Sequence, residues 1–128
     1  MVAAPTSFDF NAARMRDAAA EGYSFLGVSF VGHLPRKESA IFVGVQGWKI
    51  PFALDRTTVV QLLPSTYSVS IFRSGALKAG TLDLAAGEFA ILQFRFSKIG
   101  ITFSGWNPAT VLRVSSLTAT VPEAGDAQ

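Results

Sequence analysis

A change of hydrophobic period at Gly22 constrains the fold of this chain more than any other feature. From residue 23 onward, apolar and polar side chains alternate along short runs, which is typical of half-buried β-strands. One such run is 66–73, where Tyr67, Val69 and Ile71 share a face. Turn signals separate these runs about every eight to twelve residues, as in sandwiches and small barrels. The sequence therefore predicts an all-β domain, an antiparallel β-sandwich or small barrel.

We predict about eight or nine short strands in this domain. Their ranges are 23–31, 41–46, 49–54, 57–62, 66–73, 78–84, 88–97, 100–103 and 109–121. Pro51 has no N–H to donate, so the third strand should lie at a sheet edge or hold a bulge. Alternation does not encode which strands pair, so sandwich and barrel both remain open.

The segment before Gly22 has a different pattern. Residues 1–10 indicate an extended arm, and Asn11 offers an N-cap to the helix-favouring run 12–21, which Gly22 would end. Three apolar residues of this run share one face: Ala12, Met15 and Ala19. About three turns of helix are marginally stable alone, so the helix must dock on the domain or on a neighbour.

These patterns divide the 128 residues into three parts. We expect an N-terminal arm and short helix at 1–22, a β-domain at 23–121, and a loose acidic tail at 122–128. A chain of this length can close one hydrophobic core without disulfides or metals.

Residue types that support catalysis are scarce. The chain has no cysteine, and its single histidine, His33, falls in a predicted turn where exposure to solvent is the ordinary outcome. Asp83 and Glu88 flank a predicted hairpin at Ala85–Gly87 and could face each other across it, although acids at hairpins are usually solvated. No Gly-x-Ser-x-Gly motif is present. We therefore expect no enzyme activity, no metal site and no cofactor.

Charge and hydropathy argue against two classes of partner. The formal net charge is +2, and the basic residues are scattered along the strands, so no nucleic-acid partner is expected. The first apolar stretch, 23–31, is too short for a membrane span, and residues 1–10 lack the basic start of a secretory signal. A cytoplasmic or particle-associated location is favoured on this basis.

Two tryptophans are the best candidates for recognition. Trp48 and Trp106 each follow a glycine in a predicted loop, and Asn107 comes directly after the second. Tryptophans in loops are good binding anchors. They also serve as plugs that close the end of a sandwich. Trp48, Trp106 and Asn107 are therefore the predicted binding residues, with the plug role left open.

The apolar content suggests where function resides. Apolar residues make up 49% of the chain, including 11 phenylalanines, and charged residues only 16% against a usual share of roughly 25%. Either the core is well filled, or apolar surface lies in an interface or cavity. Three hypotheses follow. They are an assembly domain that self-associates or docks on a larger protein assembly, a monomeric module that binds protein, peptide or glycan through the tryptophans, and a small barrel with an apolar ligand.

One family resemblance supports the non-enzymatic hypotheses. The segments IFVGVQG at 41–47, TVVQL at 58–62, PSTYSV at 64–69 and LAAGEF at 84–89 resemble small bacterial β-sandwich modules of the PEGA and DUF2846-like kind. The chain has Pro64-Ser65 where those modules usually have Pro-Gly, and it lacks their lipoprotein cysteine. The resemblance implies a bacterial, non-enzymatic sandwich and transfers no functional residues.

Overall fold

The computed structural model describes residues 6–32, 42–50, 56–72, 76–97, 100–104 and 110–118. These residues form strands, one α-helix and one 3₁₀-helix, η1. In chain order the elements are β1 (Ser7–Asp9), α1 (Ala12–Ala20), β2 (Ser24–Gly32), β3 (Phe42–Val45), β4 (Trp48–Ile50), β5 (Arg56–Leu62), β6 (Ser65–Phe72), β7 (Ala76–Leu84), β8 (Glu88–Ser97), β9 (Gly100–Ser104), β10 (Thr110–Arg113) and η1 (Val114–Ser116).

The strands form two sheets, which confirms the predicted all-β, sandwich-like fold. The first, sheet A, has the order β1-β5-β2-β8-β10, with β9 also pairing with β8. The second, sheet B, has the order β4-β3-β6-β7. All neighbours are antiparallel except β2 and β8, which run parallel. Ten strands are described, slightly more than predicted, because the arm contributes β1.

Sheet A is the middle layer of the fold, and its central strands are buried on both faces. One face meets sheet B across a core of aliphatic and aromatic side chains that includes Leu26, Ala90 and Phe94. The opposite face, which presents Phe25 and Phe89, is covered by α1 and η1. Strands buried on both sides become nearly continuous in apolar residues. This explains why alternation is weakest within β2 and β8.

The predicted helix is confirmed and forms the outer layer over sheet A. The Asn11 side-chain Oδ1 accepts a hydrogen bond of 3.0 Å from the Arg14 backbone N–H, so Asn11 is the N-cap. Met15 is fully buried, and Ala12 and Ala18 are buried beside it. The helix therefore docks on its own domain. Of the preceding arm, Ser7–Asp9 pairs antiparallel with β5.

Two predicted features need correction. The turn at Ala85–Gly87 is not a hairpin, because it carries the chain from β7 in sheet B to β8 in sheet A. The last strand, predicted at 109–121, ends at Arg113. The chain then turns into η1 because Val114 and Leu117 are buried against the helix side of sheet A. Residues beyond 118 lie outside the described part of the chain.

The turn between β3 and β4 is confirmed. Gln46 and Gly47 have φ values of 50° and 88°, as in the two-residue turns that suit the twist of a hairpin. Strand β4 is at an edge of sheet B, as the argument from Pro51 predicts, although Pro51 itself lies outside the described residues. Within the described ranges, no helix has the length and apolar character that crossing a bilayer requires.

Candidate interaction surface

The outer face of sheet B is polar and is built mostly from small side chains. The side chains of Val45, Ile71 and Leu82 point into the core between the sheets. Their neighbours on the same strands therefore point outward. The described outward positions are Gly44, Lys49, Thr66, Ser68, Ser70, Thr81 and Asp83. This face carries several hydroxyl groups and few charges.

Trp48 lies at one side of this sheet and is not in a loop. The two-residue turn uses only Gln46 and Gly47, so Trp48 becomes the first residue of β4, opposite Val45. Its side chain is half-buried and packs against the core between the sheets, the contact expected of a plug. The other predicted binding residues, Trp106 and Asn107, lie outside the described ranges. That these three residues bind a partner stays a prediction.

A shallow hollow of about 210 Å³ lies above Gly44. Gln46, Trp48, Lys49, Ser68 and Ser70 line it together with Gly47. The Ser68 backbone N–H donates to the Gln46 side-chain Oε1 at 2.6 Å, which holds the amide in place. The volume is below the roughly 300–1,000 Å³ of ordinary small-molecule pockets. The hollow can therefore accept a single small group.

A second hollow, of about 350 Å³, lies between α1 and η1 and is flanked by Arg16 and Arg113. Arg16 donates from Nη1 to the Leu117 carbonyl at 3.0 Å. Ala19 and Ala20 bring the carbonyl end of α1 to this hollow. The negative end of a helix favours nearby cations. Arg16 and Arg113 therefore line a hollow beside the negative helix end, which disfavours a bound anion.

The acids singled out from the sequence do not form a pair. Asp83 is in sheet B and accepts a hydrogen bond of 2.5 Å from the Thr66 hydroxyl. Glu88 is in sheet A, and its Oε1 accepts a hydrogen bond of 2.8 Å from the Ala85 backbone N–H. Across the described ranges, no three histidine or acidic side chains come close enough to hold a metal ion. His33 lies outside those ranges.

The outer edge of β7 is the most distinctive feature of the surface. Each sheet ends in strands that lack a described neighbour on one side. At three of these edges the strands are short: β1 and β4 have 3 residues each, and β10 and β9, which share one edge, have 4 and 5. Strand β7 has 9 residues, none of them proline. We call its outer side the open edge.

The hydrogen bonds of β6 show which groups of β7 point toward the open edge. The Ser68 backbone accepts from Gln46 N–H at 3.0 Å and donates to the Gln46 side chain, so both polar groups of Ser68 face β3. Thr81 is opposite Ser68 and therefore forms the non-hydrogen-bonded kind of antiparallel pair with it. The backbone N–H and C=O of Thr81 consequently point toward the open edge. Since this direction alternates along a strand, the backbone groups of Ala79 and Asp83 point the same way.

Sequence reasoning did not identify Ala79, Thr81 and Asp83 as an interaction site. The alternation around Leu82 and Leu84 predicts a strand with one buried face, which the structure confirms. It does not predict that this strand is last in its sheet. Strand β7 is last in sheet B because the turn at Ala85–Gly87 carries the chain to β8 in sheet A.

No protein-family model, no curated protein and no solved structure matches this chain, so its resemblance to the PEGA and DUF2846-like modules stays a prediction.

Proposed function

We propose that this chain is a non-enzymatic assembly domain that associates with protein strands, first of all its own, through the open edge of β7. The single observation that carries the proposal is the contrast between this edge and the others. A strand of 9 residues extends for about 30 Å, and at Ala79, Thr81 and Asp83 it presents amide and carbonyl groups that no described strand pairs. Such a row is a template for adding another strand.

The surface next to the open edge supports the same function. Proteins that keep a sheet edge unpaired usually place prolines, bulges or several charges on it. Strand β7 carries Lys78 and an irregularity near its start, but between Ala79 and Leu84 the only charged residue is Asp83, and its carboxylate already accepts a hydrogen bond from Thr66. The outward side chains of Thr66, Ser68 and Thr81 are small. A partner strand would therefore meet little steric or electrostatic resistance.

Native mass spectrometry of the wild type and of Thr81→Pro tests the proposal. Proline at this position removes an N–H that points toward the open edge, and the ladder between β6 and β7 does not use it. We expect a defined multimer for the wild type and a monomer for Thr81→Pro at the same concentration. The matched control is Thr81→Val, which keeps the N–H and the β-branched shape and should remain a multimer.

A second variant covers the case in which Thr81→Pro does not fold. Thr81→Lys keeps the backbone N–H but places a cation at the edge, the kind of residue that blocks strand addition in natural sheets. Circular dichroism should show wild-type strand content, and the multimer should be weakened. A wild-type chain that is monomeric at high concentration would overturn the proposal.

The hollow above Gly44 favours a second candidate function, a monomeric module that recognises a small polar ligand such as a glycan. The observation is that Gln46, Ser68 and Ser70 line one depression beside Trp48. Ligand-observed NMR with neutral mono- and oligosaccharides tests it, with Ser70→Leu as the variant that fills the hollow. Signal broadening that Ser70→Leu abolishes would support the candidate, and no broadening with any sugar would reject it.

A further inference from the structure

We infer that the partner at the open edge is a second copy of this chain, paired antiparallel through β7 with Thr81 on a two-fold axis. This inference rests on the proposed function, to which it adds the two-fold symmetry and the register of the pairing. The pairing would join two four-stranded sheets into one sheet of eight strands.

The open edge is complementary to itself. A two-fold axis perpendicular to a sheet places a strand antiparallel to its own copy and keeps the outward faces of both sheets on the same side. Directly opposite residues in an antiparallel pair have side chains on one face. Residues whose backbone N–H and C=O groups point toward the open edge therefore meet each other. Ala79, Thr81 and Asp83 can supply both partners of every hydrogen bond.

Among the possible registers, the one centred on Thr81 uses all of these residues. Thr81 is then opposite Thr81 of the second copy, and Ala79 is opposite Asp83 in both directions. Because each hydrogen-bonded pair exchanges two bonds, the pairing forms about six bonds in total. Threonine opposite threonine is a favourable cross-strand pair.

The neighbouring registers are poorer for identifiable reasons. Centring the pair on Gly80 would make Asp83 bond to residue 77, which has no partner in the register with β6 because the ladder shifts between Ile71 and Phe72. Centring it on Asp83 would place two like charges directly opposite each other, which destabilises a sheet. Centring it on Leu82 would place Ala79 opposite Ala85, which lies beyond the end of β7 and whose N–H already donates to Glu88 Oε1, so Thr81 is the centre that uses all three residues.

Cysteine cross-linking tests both the partner and the register, because the chain has no cysteine of its own. A hydrogen-bonded antiparallel pair has Cα atoms about 5.5 Å apart, within the range of about 4.4–6.8 Å that a disulfide spans. We expect purified Thr81→Cys to form a covalent dimer in high yield under mild oxidation, and dithiothreitol to reverse it.

Two other single-cysteine variants serve as controls for Thr81→Cys. Ser68→Cys lies on the same face but one strand inward, so its two copies would be separated by three strand spacings, about 14 Å. Asp83→Cys lies on the same edge, with its two copies about 14 Å apart along the strands. Both should form at least tenfold less covalent dimer than Thr81→Cys.

The outcomes separate this inference from the proposed function. Dimer from Asp83→Cys but not from Thr81→Cys would overturn the register, while self-association would stand. No cross-link from either Thr81→Cys or Asp83→Cys, in a protein that native mass spectrometry shows to be a multimer, would overturn pairing through β7. A monomeric wild type would overturn the inference and the proposed function together.

Discussion

At the scale of single residues, Gly27 shows how tightly the helix side of sheet A is packed. This buried glycine lies in β2 beneath the ring of Phe89 on the neighbouring strand β8. A Cβ atom at position 27 would come within 2.5 Å of one ring carbon and 2.6 Å of another. Phe89 in turn packs against Phe10, with ring centroids 6.0 Å apart. The ring therefore has little room to move.

We predict that Gly27→Ala destabilises the fold by about 1–3 kcal/mol, the usual cost of overpacking a core. Chemical denaturation monitored by tryptophan fluorescence measures the free energy of unfolding. Phe89→Leu is the control, since it removes the ring that the new methyl group meets. In the Phe89→Leu background Gly27→Ala should cost much less, and equal costs in both backgrounds would rule out the contact with Phe89 as the cause.

Tyr67 allows a prediction about pH. Its hydroxyl donates to the Leu63 carbonyl, its side chain is buried, and burial raises its pKa above the ordinary value of 10.0. The folded state therefore favours the neutral form, so this contribution to stability is complete below about pH 10 and is lost as pH rises through the raised pKa. Tyr67→Phe should cost about 0.5–1.5 kcal/mol at neutral pH.

Denaturation midpoints measured from about pH 8 to about pH 11.5 test that sign. The wild type should lose stability more steeply above about pH 10 than Tyr67→Phe, so that the two curves converge at high pH. Parallel curves over the whole range would contradict the assignment to Tyr67.

At the scale of elements, β8 shows what alternation can and cannot predict. Its limits, Glu88–Ser97, agree with the sequence prediction because glycine and serine turns bound a long apolar run. Its parallel pairing with β2 could not be predicted, since period-two patterning fixes faces and not neighbours. For the same reason the sequence predicts a hairpin at Ala85–Gly87, where the chain instead crosses between the sheets. The open edge depends on that crossing, so alternation does not predict it.

The helix α1 is an element whose role depends on packing more than on propensity. Asn11 caps it, but with 9 residues it gains most of its stability from the sheet on which it lies. We predict that Met15→Ala, at a fully buried position, costs about 2–5 kcal/mol. The exposed Asp17→Ala on the same helix should change stability by less than about 0.5 kcal/mol. Thermal denaturation compares the two, and similar losses would mean that α1 is not docked as described.

At the scale of the whole molecule, the layers distribute exposure unevenly. Sheet A is covered by sheet B on one face and by α1 and η1 on the other. Sheet B has one uncovered face and the long open edge among the described residues. Only 16% of the residues are charged, and the outward side chains next to β7 are small and mostly uncharged. Assembly through sheet B would leave the helix side unchanged.

This arrangement predicts that stability depends on protein concentration. If folded chains pair through β7 and unfolded chains do not, mass action stabilises the folded dimer as concentration rises. A tenfold increase should add about 1.4 kcal/mol per mole of dimer, which corresponds to a rise of a few degrees in Tm. Thr81→Pro, measured over the same range, should show a constant Tm because its edge cannot add a strand.

The two concentration series separate association at the edge from aggregation of the unfolded chain, since aggregation would affect both proteins. A Tm that falls equally in both proteins would indicate such aggregation, and one that rises equally in both would place the association elsewhere on the molecule.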